Sequence, residues 1–276
     1  MIQKLTPGSR GQDVSQLQRL LKSAGLSIEI DGDYGDATAA AVRSFQQSAG
    51  LVIDGVAGLK TIAALQGQLD ARLLTQLDLV RAAETLDVEL AAVMAVNAVE
   101  SNGHGFLANG RPVILFERHI MYRRMKEKAL ASTEPSLALG LLVCTSRAQP
   151  GIVNQTPGGY AGGTAEHQRL AHARRIDDTA ALESASWGLF QIMGFHWQQL
   201  GYDSVQAFAK AMSTSEGAQL DAFVRLIKAD PGLHKALRAR RWTDFAKRYN
   251  GPDYRKNLYD ARLQRAYEEF SEVHAA

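Results

Sequence analysis

Residues 88–105 read VELAAVMAVNAVESNGHG, from Val88 to Gly105. From Leu90 to Val99 every side chain is apolar except Asn97. No face is left for water, and a helix that is hydrophobic all round is normally buried. The pattern stops at Glu100-Ser101-Asn102-Gly103, where a glycine supplies the left-handed residue that ends a helix. Glu100 is thereby placed in the last turn. The helix dipole is negative there and costs a carboxylate about 0.3–1 kcal/mol. Burial also disfavours the ionised form, so both influences raise the pKa of Glu100. A carboxylic acid held neutral near neutrality can hand a proton to a leaving oxygen. The residues also admit a plainer arrangement, in which Glu100 turns into solvent at a fraying helix end.

The chain of 276 residues is long enough for two domains or one large core. With 46% hydrophobic and 22% charged residues and no low-complexity tract, it reads as an ordinary globular protein. A net charge of +2 gives no support for a nucleic-acid partner. Cys144 is the only cysteine, which excludes an internal disulfide, and its place after the apolar run Leu139–Val143 predicts a buried structural thiol. The opening MIQKLTPGSRGQD carries no hydrophobic run of the kind found in secretory leaders. No stretch approaches a membrane span. The expectation is a monomer without stable membrane insertion. The histidines His104, His119, His167 and His172 show no His-Glu-x-x-His spacing, so neither a metal nor another cofactor is expected.

Near the N-terminus Asp31, Gly32, Gly35, Thr38, Ala41 and Val42 recur as Asp54, Gly55, Gly58, Thr61, Ala64 and Leu65. Each copy is a tight glycine turn followed by the start of a short helix. A further amphipathic helix carries Val14, Leu17, Leu20 and Leu21, so three short helices form a small module. The polar break Gln66-Gly67-Gln68 puts its boundary at residue 67, with a larger part over 68–276. The blocks GSRGQDVSQLQRLLKSAG, DGDYGDATAAAVRSFQ and DGVAGLKTIAAL resemble the peptidoglycan-binding domain of cell-wall hydrolases. That resemblance, and not the periodicity, implies bacterial peptidoglycan as the partner. Basic and acidic residues balance over the module, so contacts to uncharged sugar or stem-peptide atoms are expected.

In the larger part, Arg111–Phe116 reads as a short strand running into a helix at Glu117, with Arg118 and His119 beside it. Pro135–Gly163, dominated by glycine and proline, reads as a surface connection ahead of a helix over Thr164–Arg175 with Glu166 in its first turn. Ala185–Gly194 sets Ser186, Gly188 and Gln191 among large apolar residues. Buried polar groups need partners, and these either bond one another and the backbone or bond a ligand. A last helix ends at Gly251-Pro252 with Tyr249 and Asn250 in its final turn, and at least two of Trp187, Trp197 and Trp242 belong to the core.

The ordered pairs Glu100-Ser101, Gly188-Leu189-Phe190-Gln191-Ile192 and Tyr249-Asn250-Gly251 resemble the motifs of the lysozyme-like superfamily. AVESNGHGF, ILFERH, SASWGLFQIMG and FAKRYNGPDY are similar to the N-acetylmuramidase domain of modular phage endolysins, over about residues 73–268. The implied fold is mainly α: a three-helix module plus a larger α-rich lysozyme-like domain with a minor β element. The implied function is an endolysin that hydrolyses the bond between N-acetylmuramic acid and N-acetylglucosamine and waits in the host cytoplasm until its release to the wall. Glu100 is then the general acid. A second carboxylate is usual in glycosidases, and Glu117 is the first choice for it, ahead of Glu166 and Glu183. A core ion pair between Glu117 and Arg118 is the competing arrangement. Ser101, Tyr160, Ser186, Gln191, Tyr249 and Asn250 are assigned to substrate. Two other functions stay open: a lytic transglycosylase, which needs only the acid, and a non-catalytic wall-binding virion protein, in which Glu100 is idle.

Overall fold

In the computed structural model, which describes residues 4–101 and 103–275, the N-terminal periodicity becomes α1 (Gln12–Ser23), α2 (Asp36–Ser48) and α3 (Leu59–Leu65). Val14, Leu17, Leu21, Val42 and Ile62 from these helices bury against Leu5, Tyr34, Ala39 and Ala57. The sequence repeat also folds as a repeat of hydrogen bonds. The Gln18 side chain donates to Asp31 Oδ1 at 2.7 Å and Thr38 Oγ1 at 3.1 Å, and accepts from the Gly32 amide at 2.9 Å. Gln46 repeats this with Asp54 at 2.7 Å, Thr61 at 3.2 Å and the Gly55 amide at 2.9 Å. Both glutamines are buried, where an unmet amide would cost about 1–3 kcal/mol.

Next come α4 (Gln76–Leu86), started by a reciprocal cap between Thr75 and Asp78, and α5 (Leu90–Glu100). Burial of α5 is complete only from Ala91 to Val96; Ala98 is exposed, and Asn97, Val99 and Glu100 are half-buried. The all-round burial expected of this stretch therefore stops one turn early, and Glu100 stands where a buried helix meets water. Two compact units divide the chain, Met1–Ala95 with Gln264–Ala276 and Val96–Leu263, and the division falls within α5.

The second unit holds a three-stranded antiparallel sheet of β1 (Ile114–Phe116), β2 (Ala185–Trp187) and β3 (Ile192–Met193), with Ser186 opposite Leu115 on one side and Met193 on the other. Around it lie α6 (Arg118–Leu130), α7 (Pro135–Ala148), α8 (Gly163–Ile176) and α9 (Asp178–Glu183). They are followed by α10 (Val205–Met212), α11 (Glu216–Ala229), α12 (Pro231–Arg238) and α13 (Trp242–Asn250), and the last helix, α14, runs Tyr259–Ala275. The architecture is mainly α with a minor β element. Trp187 and Trp242 are buried and Trp197 is half-buried.

Two expectations fail here, and for one reason. Half of the supposed connection over Pro135–Gly163 is the helix α7, begun by Pro135 in its first turn. Leu137, Leu141 and Val143 are exposed on it and Leu142 is buried, so apolar residues occupy both faces and no amphipathic stripe betrays a helix. Cys144 lies on the exposed side of the same helix instead of in the core. No helix among the described residues is long and apolar enough to cross a membrane.

Candidate active site

Glu100 closes α5, and the buried part of that helix fixes the carboxyl's position. Its Oε2 accepts a hydrogen bond from Asn250 Nδ2 at 2.9 Å, while Oε1 is buried and finds no partner among the described residues. Burial pushes the carboxyl up to about 7, opposed by the charge of Arg262. An amide donor on Oε2 makes that oxygen the acceptor, so the proton of the neutral acid belongs on Oε1. Asn250 ends α13 before Gly251, whose φ of 77° suits a residue without a side chain. Its neighbour Tyr249 donates to the Phe190 carbonyl at 3.3 Å and packs edge-on to Phe223, ring centres 5.3 Å apart. Burial, then the nearby charge of Glu100, push the Tyr249 phenol far above its ordinary range, so it stays neutral. Ser101, half-buried, continues the last turn with its amide donating to the Asn97 carbonyl at 3.2 Å.

Glu117 caps α6 directly after β1. Tyr160 donates its hydroxyl to Oε2 at 2.9 Å, and His119 Nδ1 lies 3.1 Å from the same oxygen. Arg118 does not form the competing ion pair with Glu117. Its guanidinium donates to the carbonyls of Pro150, Thr156 and Pro157 and so gathers the loop that leads to Tyr160. Glu166, 0% exposed, is fully engaged: it accepts from the amides of Phe116 at 3.0 Å, Ala161 at 2.6 Å and Gly162 at 3.0 Å, and from Arg169 at 2.7 Å. Burial alone would raise its carboxyl, but the three amides and the Arg169 charge outweigh it and hold the group below the ordinary range. Glu183 accepts from Trp197 Nε1 at 2.9 Å and lies 3.4 Å from Arg124 Nε. Both are structural anchors, and Glu117 is the candidate whose carboxylate meets an exposed aromatic side chain.

In the turn between β2 and β3 the polar groups find partners within the chain. Ser186 donates to Gln191 Oε1 at 2.8 Å, and Gln191 Nε2 donates to the Gly188 carbonyl at 2.9 Å. These bonds brace the turn, in which Gln191 has a φ of 50°.

Two residues that the sequence reading passed over clamp this turn from α11. Glu216, 1% exposed, accepts from the Gly105 amide at 2.8 Å. Gln219 accepts from the Leu189 amide at 2.7 Å and donates to the carbonyls of Gly105 at 3.3 Å and Met212 at 2.8 Å. A Cβ on Gly105 would stand 2.1 Å from Gln219 Oε1, and one on Gly188 2.4 Å from its Cδ. The clamp therefore dictates both glycines and ties the segment after Glu100 to the turn that seats Tyr249. The signal in the sequence was a pair of polar residues on the apolar stripe of Leu220, Phe223 and Ile227. Among the described residues no group of three or more His, Cys, Asp and Glu gathers as a metal site would.

The N-acetylmuramidase family model matches residues 89–271, and that of a putative peptidoglycan-binding domain matches residues 10–65. Over 60 residues the chain is 45% identical to the zinc D-Ala-D-Ala carboxypeptidase of Streptomyces albus G, covering 21% of this chain and 24% of that protein. Over 60 residues it is 43% identical to the spore cortex-lytic enzyme of Bacillus cereus, covering 21% and 23%. The chain thus spans about a quarter of the length of these curated relatives, one of them a carboxypeptidase. The crystal structure of a Burkholderia AP3 phage endolysin is similar throughout, with 52% identity and a TM-score of 0.89 over 99% of this chain and 100% of that one. A glutamic acid kept neutral by burial suits protonation of a glycosidic oxygen, and together with these matches it leads to one assignment: the chain belongs to the N-acetylmuramidase family, glycoside hydrolases of the lysozyme type, with a peptidoglycan-binding domain ahead of the catalytic part.

Proposed function

We propose that the chain is a phage endolysin in which Glu100 is the general acid for cleavage between N-acetylmuramic acid and N-acetylglucosamine. The observation that carries this is Glu100 itself, half-buried, raised to about 7 and bonded on one oxygen only. Proton delivery from the Glu100 carboxyl to the glycosidic oxygen lets the leaving sugar depart as an alcohol, and the carboxylate left behind keeps its Asn250 bond. Glu117 is the second carboxylate; the Tyr160 hydroxyl donates to it and so fixes its orientation, as a nucleophile or a base for water requires. Ser101, Asn250 and the 48% exposed ring of Tyr160 meet the sugar. Ser186, Gln191 and Tyr249 shape the turn beside it.

Residues 1–67 bind the wall and residues 68–276 cut it, and the enzyme acts as a single chain, held in the host cytoplasm until it reaches peptidoglycan. Mass spectrometry of fragments from purified wall tests the chemistry. Hydrolysis leaves reducing muramic ends. Anhydro ends would assign a transglycosylase, and unchanged cleavage by Glu100→Gln would reassign the acid. A fragment of residues 1–67 should sediment with insoluble wall, and a soluble fragment left in the supernatant refutes its binding role.

A further inference from the structure

We infer that the exposed face of α7 is a docking surface for an anionic phospholipid bilayer. Leu137 and Leu141 lie one turn apart on this helix and are 59% and 61% exposed; Val143 is 42% exposed, and Leu130, at the end of the preceding helix, is 56% exposed. Four of the ten large hydrophobic residues exposed among the described residues thus fall between positions 130 and 143. Gly140, Cys144 and Ala148 fill the same solvent-facing arc, leaving Ser136 and Arg147 as its polar members. A contiguous apolar surface of this kind marks a binding site.

Charge selects the occupant. Arg147 lies on the arc itself, and α6, packed against α7, adds exposed Lys126, while Arg123 of α6 is turned over the ring of Phe195. Neither Arg147 nor Lys126 has an acidic partner among the described residues. The nearby acids are Glu134 at the start of α7 and Glu127, which Arg124 already neutralises at 2.7 Å. Lys128 is paired with Asp177. A convex helix face that is apolar in the middle and cationic at its fringe suits the headgroup boundary of an anionic membrane, where such helices lie with their apolar side sunk about 5–10 Å. A two-fold pairing of two copies through the same face would instead set like charges against each other. The helix lies on the membrane and does not span it, and this surface is independent of the catalytic assignment.

The test is co-sedimentation of the full chain with vesicles of phosphatidylglycerol and phosphatidylcholine in equal parts, against vesicles of phosphatidylcholine alone. Binding to the first and not the second is expected, weakening as salt shortens the Debye length to about 8 Å near 0.15 M. Leu137→Ser with Leu141→Ser should weaken binding by at least about tenfold, while hydrolysis of soluble wall fragments is unchanged. Lys126→Glu with Arg147→Glu should also weaken it and flatten the salt dependence. Failure of the wild-type chain to bind anionic vesicles, or leucine variants that bind as wild type does, overturns the inference. A concentration-dependent doubling of mass without vesicle binding, lost in the leucine variants, would assign the face to a second copy and overturn it as well.

Discussion

Glu100 at the end of α5 and Glu166 in the first turn of α8 are both withdrawn from water, and they settle in opposite states. Glu166 is the more deeply buried, yet its carboxyl is held below the ordinary range, because three amides and Arg169 donate to it. Glu100 keeps some exposure, yet it is pushed up to about 7, because one neutral amide is its only donor among the described residues. Burial sets the cost of ionisation, and the number of donors decides whether that cost is met. The donors to Glu166 are brought to it by the strand β1, by the two residues that lead into α8 and by Arg169, whereas Glu100 closes a helix whose end offers no unpaired N–H and an unfavourable dipole. One glutamate thereby becomes a fixed anion that anchors β1 and the Tyr160 loop. The other becomes a proton store.

The largest effect expected from this contrast is on catalysis. Glu100→Gln keeps an acceptor for Asn250 but has no proton to give, and the rate on purified wall should fall by about 10²–10⁴. Circular dichroism should not change. A variant that keeps more than about a tenth of wild-type activity would remove Glu100 from the role of acid.

Glu166→Gln should act in the opposite sense, through structure. It leaves Arg169 without its buried partner, and breaking such a pair costs about 3–5 kcal/mol. Because the carboxyl of Glu166 is depressed in the folded chain, its contribution is present above the ordinary carboxyl pKa and is lost as pH falls through the folded value. Denaturant midpoints should therefore separate wild type from variant at neutral pH and bring them together in acid. A variant within about 0.5 kcal/mol of wild type at neutral pH would mean that the four donors carry no special weight.

Much of this contrast was legible in the sequence. The apolar run ended by Gly103 located Glu100, and the paired Asp-Gly turns located the N-terminal module, because both signals are local. The partners were not local. Asn250 lies 150 residues from Glu100, and Glu216 and Gln219 reach Gly105 across 111 and 114 residues. A polar residue on an apolar stripe reads the same in sequence whether it meets a partner or breaks the stripe. Gln18 and Gln46 were missed on that account, and because their spacing of 28 residues differs from the 23 between Asp31 and Asp54, the aspartates they hold. Helix α7 was missed for the converse reason, an exposed face that is mostly apolar.

The same carboxyl pair makes a thermodynamic prediction of opposite sign at α5. Folding raises Glu100 from 4.5 to about 7, so the folded chain holds its proton through a window in which the unfolded chain has released it. The stability contributed by this group is full below about 4.5 and is lost as pH rises to about 7. Allowing for the water that still reaches the residue, the loss is about 1–3 kcal/mol. Glu100→Gln cannot ionise and should be more stable than wild type above that window, though inactive. Wild-type activity should decline over the same rise, since the acid must be protonated to act. Equal melting temperatures for the two proteins at acid and at alkaline pH would contradict the raised pKa itself.

The smallest effect concerns Tyr160, where the two regions meet in sequence: its hydroxyl bonds Glu117, and the two amides that follow it bond Glu166. Tyr160→Phe deletes the hydroxyl and leaves the backbone in place, so the Glu166 anchor and the stability of the chain should be unaffected. What is lost is the hydrogen bond that Tyr160 gives to the Glu117 carboxylate. Such a bond is worth about 1.5 kcal/mol, so turnover should fall about tenfold, with little change in KM because the aromatic ring that meets the sugar remains. Tyr160→Ala should lower turnover to the same extent and also raise KM. The two variants together separate the hydroxyl's task, orienting Glu117, from the ring's task, holding substrate. If Tyr160→Phe retains full turnover while Tyr160→Ala loses only affinity, Glu117 needs no orientation from this hydroxyl, and Tyr160 belongs to substrate binding alone.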